Sequence, residues 1–78
     1  MPRFFLHLTD GYSVCDEDGM LFENADAARE EAIRAARDMM ADQVRQGRLS
    51  LRDRIDIEDE AGNPIFSVRF REAVELEE

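Results

Sequence analysis

Between Ala25 and Gln46 the chain has neither of its two prolines and none of its four glycines, and the stretch is rich in Ala, Arg, Glu and Met. Such a segment predicts one long helix. Asn24 is a good N-cap, Asp26 sets an acid near the positive end, and Gly47 supplies a left-handed stop. Ala28, Ala32, Ala35 and Met39 recur at helical spacing, with Ile33, Ala36 and Met40 beside them and Val44 extending that second row. The resulting apolar stripe is wide enough to face a sheet, and its alanines let the helix lie close. Met39 and Met40 fall on the stripe and are expected to fill gaps in the core. Glu30 and Arg34 form an i,i+4 pair on the wet side.

Short alternating runs flank the helix. Arg3 to Leu8, bounded by Pro2 and Asp10-Gly11, reads as a strand with Phe4, Leu6 and Leu8 on one face and Phe5 and His7 on the other. After the Asp-Gly turn, Tyr12, Val14 and Asp16 alternate with Ser13 and Cys15 as a second strand. Asp16-Glu17-Asp18-Gly19 turns the chain again, with Gly19 free to take positive φ, and Met20 to Phe22 make a brief third strand. Past the helix, Leu49 and Leu51 are expected to plug the end of the core. Ile55 and Ile57 then alternate with Asp56 and Glu58 in a half-buried strand. Ala61-Gly62-Asn63-Pro64 turns the chain, and Phe66, Val68 and Phe70 alternate with Ser67 and Arg69 as an antiparallel partner. Residues 71–78 read as a short helix or a loose tail, with Ala73, Val74 and Leu76 as anchors.

The order β-β-β-α-β-β predicts a two-layer α+β domain spanning 1–78, with one long helix packed on one face of a mainly antiparallel sheet. One helix cannot cover both faces of five strands, so the face carrying Phe5 and His7 is left open. A core of this size contributes only about 3 to 5 kcal/mol of net stability. Self-association offsets that, and a symmetric homodimer is expected through the open face or an exposed strand edge.

Ten basic residues against nineteen acidic ones give a formal charge of -9, which weighs against nucleic acid as the main partner. All ten basic residues are Arg, and Arg45, Arg48, Arg52 and Arg54 crowd a segment whose one acid is Asp53. The negative end of a helix explains Arg45 and Arg48; a patch for an anion or an acidic partner is the functional alternative. No run reaches the roughly 18 apolar residues of a bilayer span, and Met1 to Leu8 lacks the pattern of a secretory signal. Cys15 is the single cysteine, so one chain can build neither a disulfide framework nor a thiolate zinc site. A cytoplasmic protein with no membrane partner is expected.

Catalysis would need a nucleophile and a base held in a shaped pocket. His7 is the one histidine and sits among aromatic neighbours in a strand, which favours a structural role. Cys15 falls near His7 if the first hairpin pairs as read, but reads as an ordinary small hydrophobe. A small enzyme or ligand carrier using His7 and Tyr12 is the minor reading. The group Asp16, Asp18, Gly19 and Glu23 lacks the spacing of a calcium loop. Asp56, Glu58, Asp59 and Glu60 read as wet-face acids, and no Gly-rich phosphate loop is present. No catalytic residue, metal or cofactor is expected.

The opening Met1-Pro2-Arg3-Phe4-Phe5-Leu6-His7-Leu8, with Asp10-Gly11 and Asp16-Glu17-Asp18-Gly19 after it, resembles the start of a family of short uncharacterised bacterial proteins. The likeness continues through Ala28-Arg29-Glu30-Glu31-Ala32 and Asp59-Glu60-Ala61-Gly62 to the Phe66 to Phe70 strand, covering nearly the whole chain. It implies a bacterial cytosolic origin and supports the fold boundaries, and it carries no catalytic residues. The order of elements is also similar to the antitoxin half of HicAB toxin-antitoxin systems, without an appended DNA-binding module. The readings converge on a small non-enzymatic protein-interaction module with Phe5, His7, Arg45, Arg48 and Arg52 as its candidate surface. The alternative is an antitoxin-like or regulatory subunit whose acidic surface neutralises a basic partner.

Overall fold

The structure, a computed structural model, describes residues 1–11 and 13–77; Tyr12, expected in the second strand, and Glu78 lie outside the described residues. The elements are β1 (Arg3–Thr9), β2 (Ser13–Val14), β3 (Met20–Leu21), α1 (Ala25–Arg45), β4 (Arg54–Glu58), β5 (Pro64–Arg69) and a 3-10 turn over Phe70–Glu72. This is the α+β arrangement read from the sequence, a mostly antiparallel five-stranded sheet with α1 against it.

The sheet runs β2-β1-β4-β5, with β3 also on β1. Leu6 pairs with Ile57 and His7 with Asp56, and Ile55 pairs in turn with Val68. Both β2 and β3 lie along the edge of β1 that β4 leaves free. Leu8 faces Val14 at one end, and Phe4 faces Met20 at the other. Residues 15–19 span the stretch of β1 between them and bulge outward, as a local insertion in one strand requires. Gly19 closes this bulge at φ +69, where a Cβ would come within 2.9 Å of the Phe4 carbonyl oxygen. Only glycine fits that turn without strain.

The N-cap of α1 is Asn24, whose side chain accepts from the Ala27 N–H at 2.9 Å. Its buried line is Ala28, Ala32, Ala36, Met40 and Gln43, while Ile33, Ala35 and Met39 flank it half-buried. Val44, expected on the stripe, is instead exposed. At 100° per residue Gln43 falls about 60° round from Ala28, mid-stripe, whereas Val44 falls about 160° round. Gln43 is tolerated inside because it is hydrogen-bonded: its Nε2 donates to Asp53 Oδ2 (3.3 Å), and its Oε1 accepts from the Ser50 N–H (2.9 Å). The Ser50 hydroxyl completes the set on Asp53 Oδ1 at 2.7 Å. Arg34 pairs with Glu31 at i,i+3 rather than with Glu30.

Three further corrections fall in the C-terminal half. Leu51 packs on the core as expected, but Leu49 is exposed, because the chain leaving Gly47 is held on the helix end by the Arg48 N–H donating to the Gln43 carbonyl at 3.0 Å. Phe70 does not continue β5. Its N–H reaches the Asp53 carbonyl at 2.8 Å, the chain tightens into the 3-10 turn, and its ring is fully buried. Ala73 is buried and Val74 half-buried, and Arg37 Nε donates to the Ala73 carbonyl at 2.7 Å, tying this end to α1. Leu76, expected as an anchor, is exposed.

Candidate functional site

The sheet face turned away from α1 carries Phe5, His7 and Thr9 from β1 opposite Glu58, Asp56 and Arg54 from β4, with Ser67 and Arg69 beyond them on β5. It is a polar face. Arg54 Nε reaches both oxygens of Asp56 at 3.2 Å, and the Ser67 hydroxyl donates to Asp56 at 2.8 Å. Phe5 stacks on the His7 ring with centroids 6.4 Å apart.

His7 is engaged through both ring nitrogens: Nδ1 accepts the Asp16 backbone N–H at 3.0 Å and Nε2 lies 2.6 Å from Glu58 Oε1. A neutral ring with its proton on Nε2 satisfies both contacts. Asp16 then uses its carboxylate where the bulge has withdrawn the backbone, accepting from Leu6 N–H (3.3 Å) and Gly19 N–H (3.0 Å). Burial pushes this carboxyl up, but the N–H groups of Gly19, Leu6 and Asp18 outweigh it, holding the group below its ordinary value. These contacts hold the strands together and leave neither His7 nitrogen aimed at a cavity. Cys15, next to Asp16, is exposed.

Asp59, in the second acidic group, serves the β4–β5 turn. It accepts from Asn63 N–H and Ala61 N–H, each at 2.9 Å. The Asn63 backbone contact is the main cause that its carboxyl lies below the usual range. Among the described residues, no group of three or more His, Cys, Asp or Glu is placed to hold a metal ion. No helix among them is long and apolar enough to cross a membrane.

The arginines singled out in the sequence divide between surfaces. Arg45 lies in the last turn of α1, paired with Asp42 at 2.8 Å. It borders an apolar groove of about 470 Å³ formed by Met40, Ala41, Val44, Leu49 and Val74, with Arg37 on the other rim. Arg48 and Arg52 line a different, more polar groove with Asp10 and Ser50. Arg52 also enters a third cleft, of about 240 Å³, beside Arg54, Arg69 and Arg71. Of the patch expected from Arg45 to Arg54, Arg45 faces a separate groove, while Arg52 links the groove of Arg48 to the cleft of Arg54.

Arg69 and Arg71 were missed by reading along the segment. The signal that finds them is a repeated triplet, Arg52-Asp53-Arg54 and Arg69-Phe70-Arg71, whose middle residues are both buried. No curated protein and no solved structure matches this chain. Its strands, helix and Asp-Gly turns fall within one family match over residues 3–71, and the chain belongs to that family, a domain of unknown function (DUF6894).

Proposed function

We propose that the chain is a small protein-interaction module without chemistry of its own, which docks its partner in the apolar groove beside the C-terminal half of α1. One observation carries this reading. Val44 and Leu49, the two residues whose apolar character suited the core, are exposed at 60% and 45% and line the same groove. An apolar recess rimmed by polar residues can seat a partner's apolar side chains. Arg37 on one rim, which forms no ion pair among the described residues, favours a partner segment that sets an acidic side chain beside apolar ones. The single free Cys15 suits a reducing compartment, and the cytoplasm is the setting we propose.

The test is affinity capture from native cells with mass spectrometry, comparing the wild-type chain with Val44→Glu. A protein retained by the former and lost from the latter is expected; an identical retained set would overturn the reading. The -9 charge favours a second reading, a regulatory subunit neutralising a basic partner. That partner would be retained by Val44→Glu and released by about 0.5 M salt, where exposed charges are largely screened.

A further inference from the structure

We propose that the cleft lined by Arg52, Arg54, Arg69 and Arg71 binds a small phosphate-bearing ligand through its phosphate or diphosphate group. The placement follows from one backbone hydrogen bond, from Phe70 N–H to the Asp53 carbonyl at 2.8 Å. Asp53 and Phe70 both turn their side chains inward, at 7% and 0% exposure, while Arg52, Arg54, Arg69 and Arg71 on either side of them are exposed. Four guanidinium-bearing side chains thereby line one cleft together with Leu51.

The cleft is under-neutralised in a chain that otherwise carries a large excess of acid. Asp56 engages Arg54, Glu72 accepts the backbone N–H of Arg69, and Asp53 is buried and occupied by Gln43 and Ser50. Among the described residues, Arg52, Arg69 and Arg71 form no ion pair. Arg54 and Arg69 also stand directly opposite each other across the ladder, a like-charge pairing that disfavours the empty state. An anion between them removes that repulsion.

The class of anion follows from charge density. A phosphate group concentrates about two negative charges on three terminal oxygens, and planar guanidinium forks match them with paired N–H donors. A monocarboxylate neutralises one arginine of the three. An acidic peptide spaces its carboxylates along a backbone and so brings less charge into a cleft of about 240 Å³ than a phosphate group does.

The full chain is titrated with inorganic phosphate and with pyrophosphate at ionic strength held constant by chloride, following backbone amide shifts by NMR. Saturating shifts are expected at residues 51–54 and 69–72, with pyrophosphate the tighter ligand. The exposed double change Arg52→Gln with Arg71→Gln should weaken pyrophosphate by at least about tenfold, with its other amide signals in place, and Arg34→Gln should bind like the wild type. Shifts that grow without saturating, or a double variant that binds like the wild type, overturn the proposal. A hexaglutamate peptide that binds more tightly than pyrophosphate also overturns it, in favour of an acidic protein segment.

Discussion

His7 and Glu58 meet across the β1–β4 ladder with Nε2 and Oε1 2.6 Å apart, and the other ring nitrogen fixes the Asp16 backbone at 3.0 Å. One imidazole thus joins the central strand pair to the bulge on the opposite edge. Replacing it by leucine removes an acceptor from the Asp16 N–H and the partner of Glu58. His7→Leu is expected to cost about 1 to 2 kcal/mol in urea melts. Glu58→Gln keeps an acceptor for Nε2–H and should cost less than half as much.

Asp16 should give a pH-dependent share of stability. Its folded carboxyl lies below the ordinary value, so the stabilisation is present above the unfolded pKa of about 3.9 and is lost as the pH falls through the lower, folded value. Asp16→Asn is expected to lower stability at pH 7 by about 1 kcal/mol, discounted for partial exposure. Melts from pH 7 down to about pH 2 should show that gap closing; a constant gap would mean the carboxylate's charge is irrelevant.

The approach of α1 to the sheet depends on small side chains. Ala32 has no exposed surface, and Ala32→Leu should overpack the contact and cost about 1 to 3 kcal/mol. Arg34, bonded to Glu31 on the wet side, should tolerate Arg34→Ala within about 0.5 kcal/mol. Equal urea midpoints for the two variants would contradict this orientation of the helix.

The same stripe makes a sharper comparison at its C-terminal end, where the hydrophilic residue is inside and the hydrophobic one outside. Gln43→Leu leaves the Ser50 N–H and an Asp53 oxygen without their partner and should cost about 1 to 3 kcal/mol. Val44→Glu should stay within about 0.5 kcal/mol. Thermal melts of the pair decide it.

Gly19→Ala is expected to destabilise by about 1 to 3 kcal/mol, since it combines positive φ with a 2.9 Å approach to the Phe4 carbonyl. Gly47→Ala shares the positive φ but meets nothing within 4 Å, so it should be the milder change. Chemical denaturation of both separates crowding from backbone strain.

Local chemistry made most of the fold legible. Asn24 and Gly47 bracket α1 through capping and left-handed geometry, and alternation in Ile55 to Glu58 marks β4. What failed was anything that depends on where an element stops facing the core. Val44 and Leu49 are apolar and near the helix end, yet the phase of α1 and the Arg48 to Gln43 bond turn them outward. The candidate sites were harder for the same reason. Arg45 is close along the chain to Arg48 and Arg52 yet lines a different groove, whereas Arg54 and Arg69 are distant along it and adjacent in the ladder. The neighbours of His7 suggest a structural role, but its bonds to Glu58 and Asp16 follow only from the strand register.

The interrupted edge beside β1 governs how the sheet can grow. A continuous outer strand there would offer an unbroken row of amides and carbonyls to any extended chain. Instead that row is broken into two-residue segments, and at the gap the Leu6 N–H is capped by the carboxylate of Asp16. An incoming strand would have to displace a negatively charged group to continue the ladder. Addition of a further strand, from another molecule or from a misfolded copy, is therefore directed to the β5 side, where Pro64 and the irregularity at Ile57/Glu58 shorten the usable template.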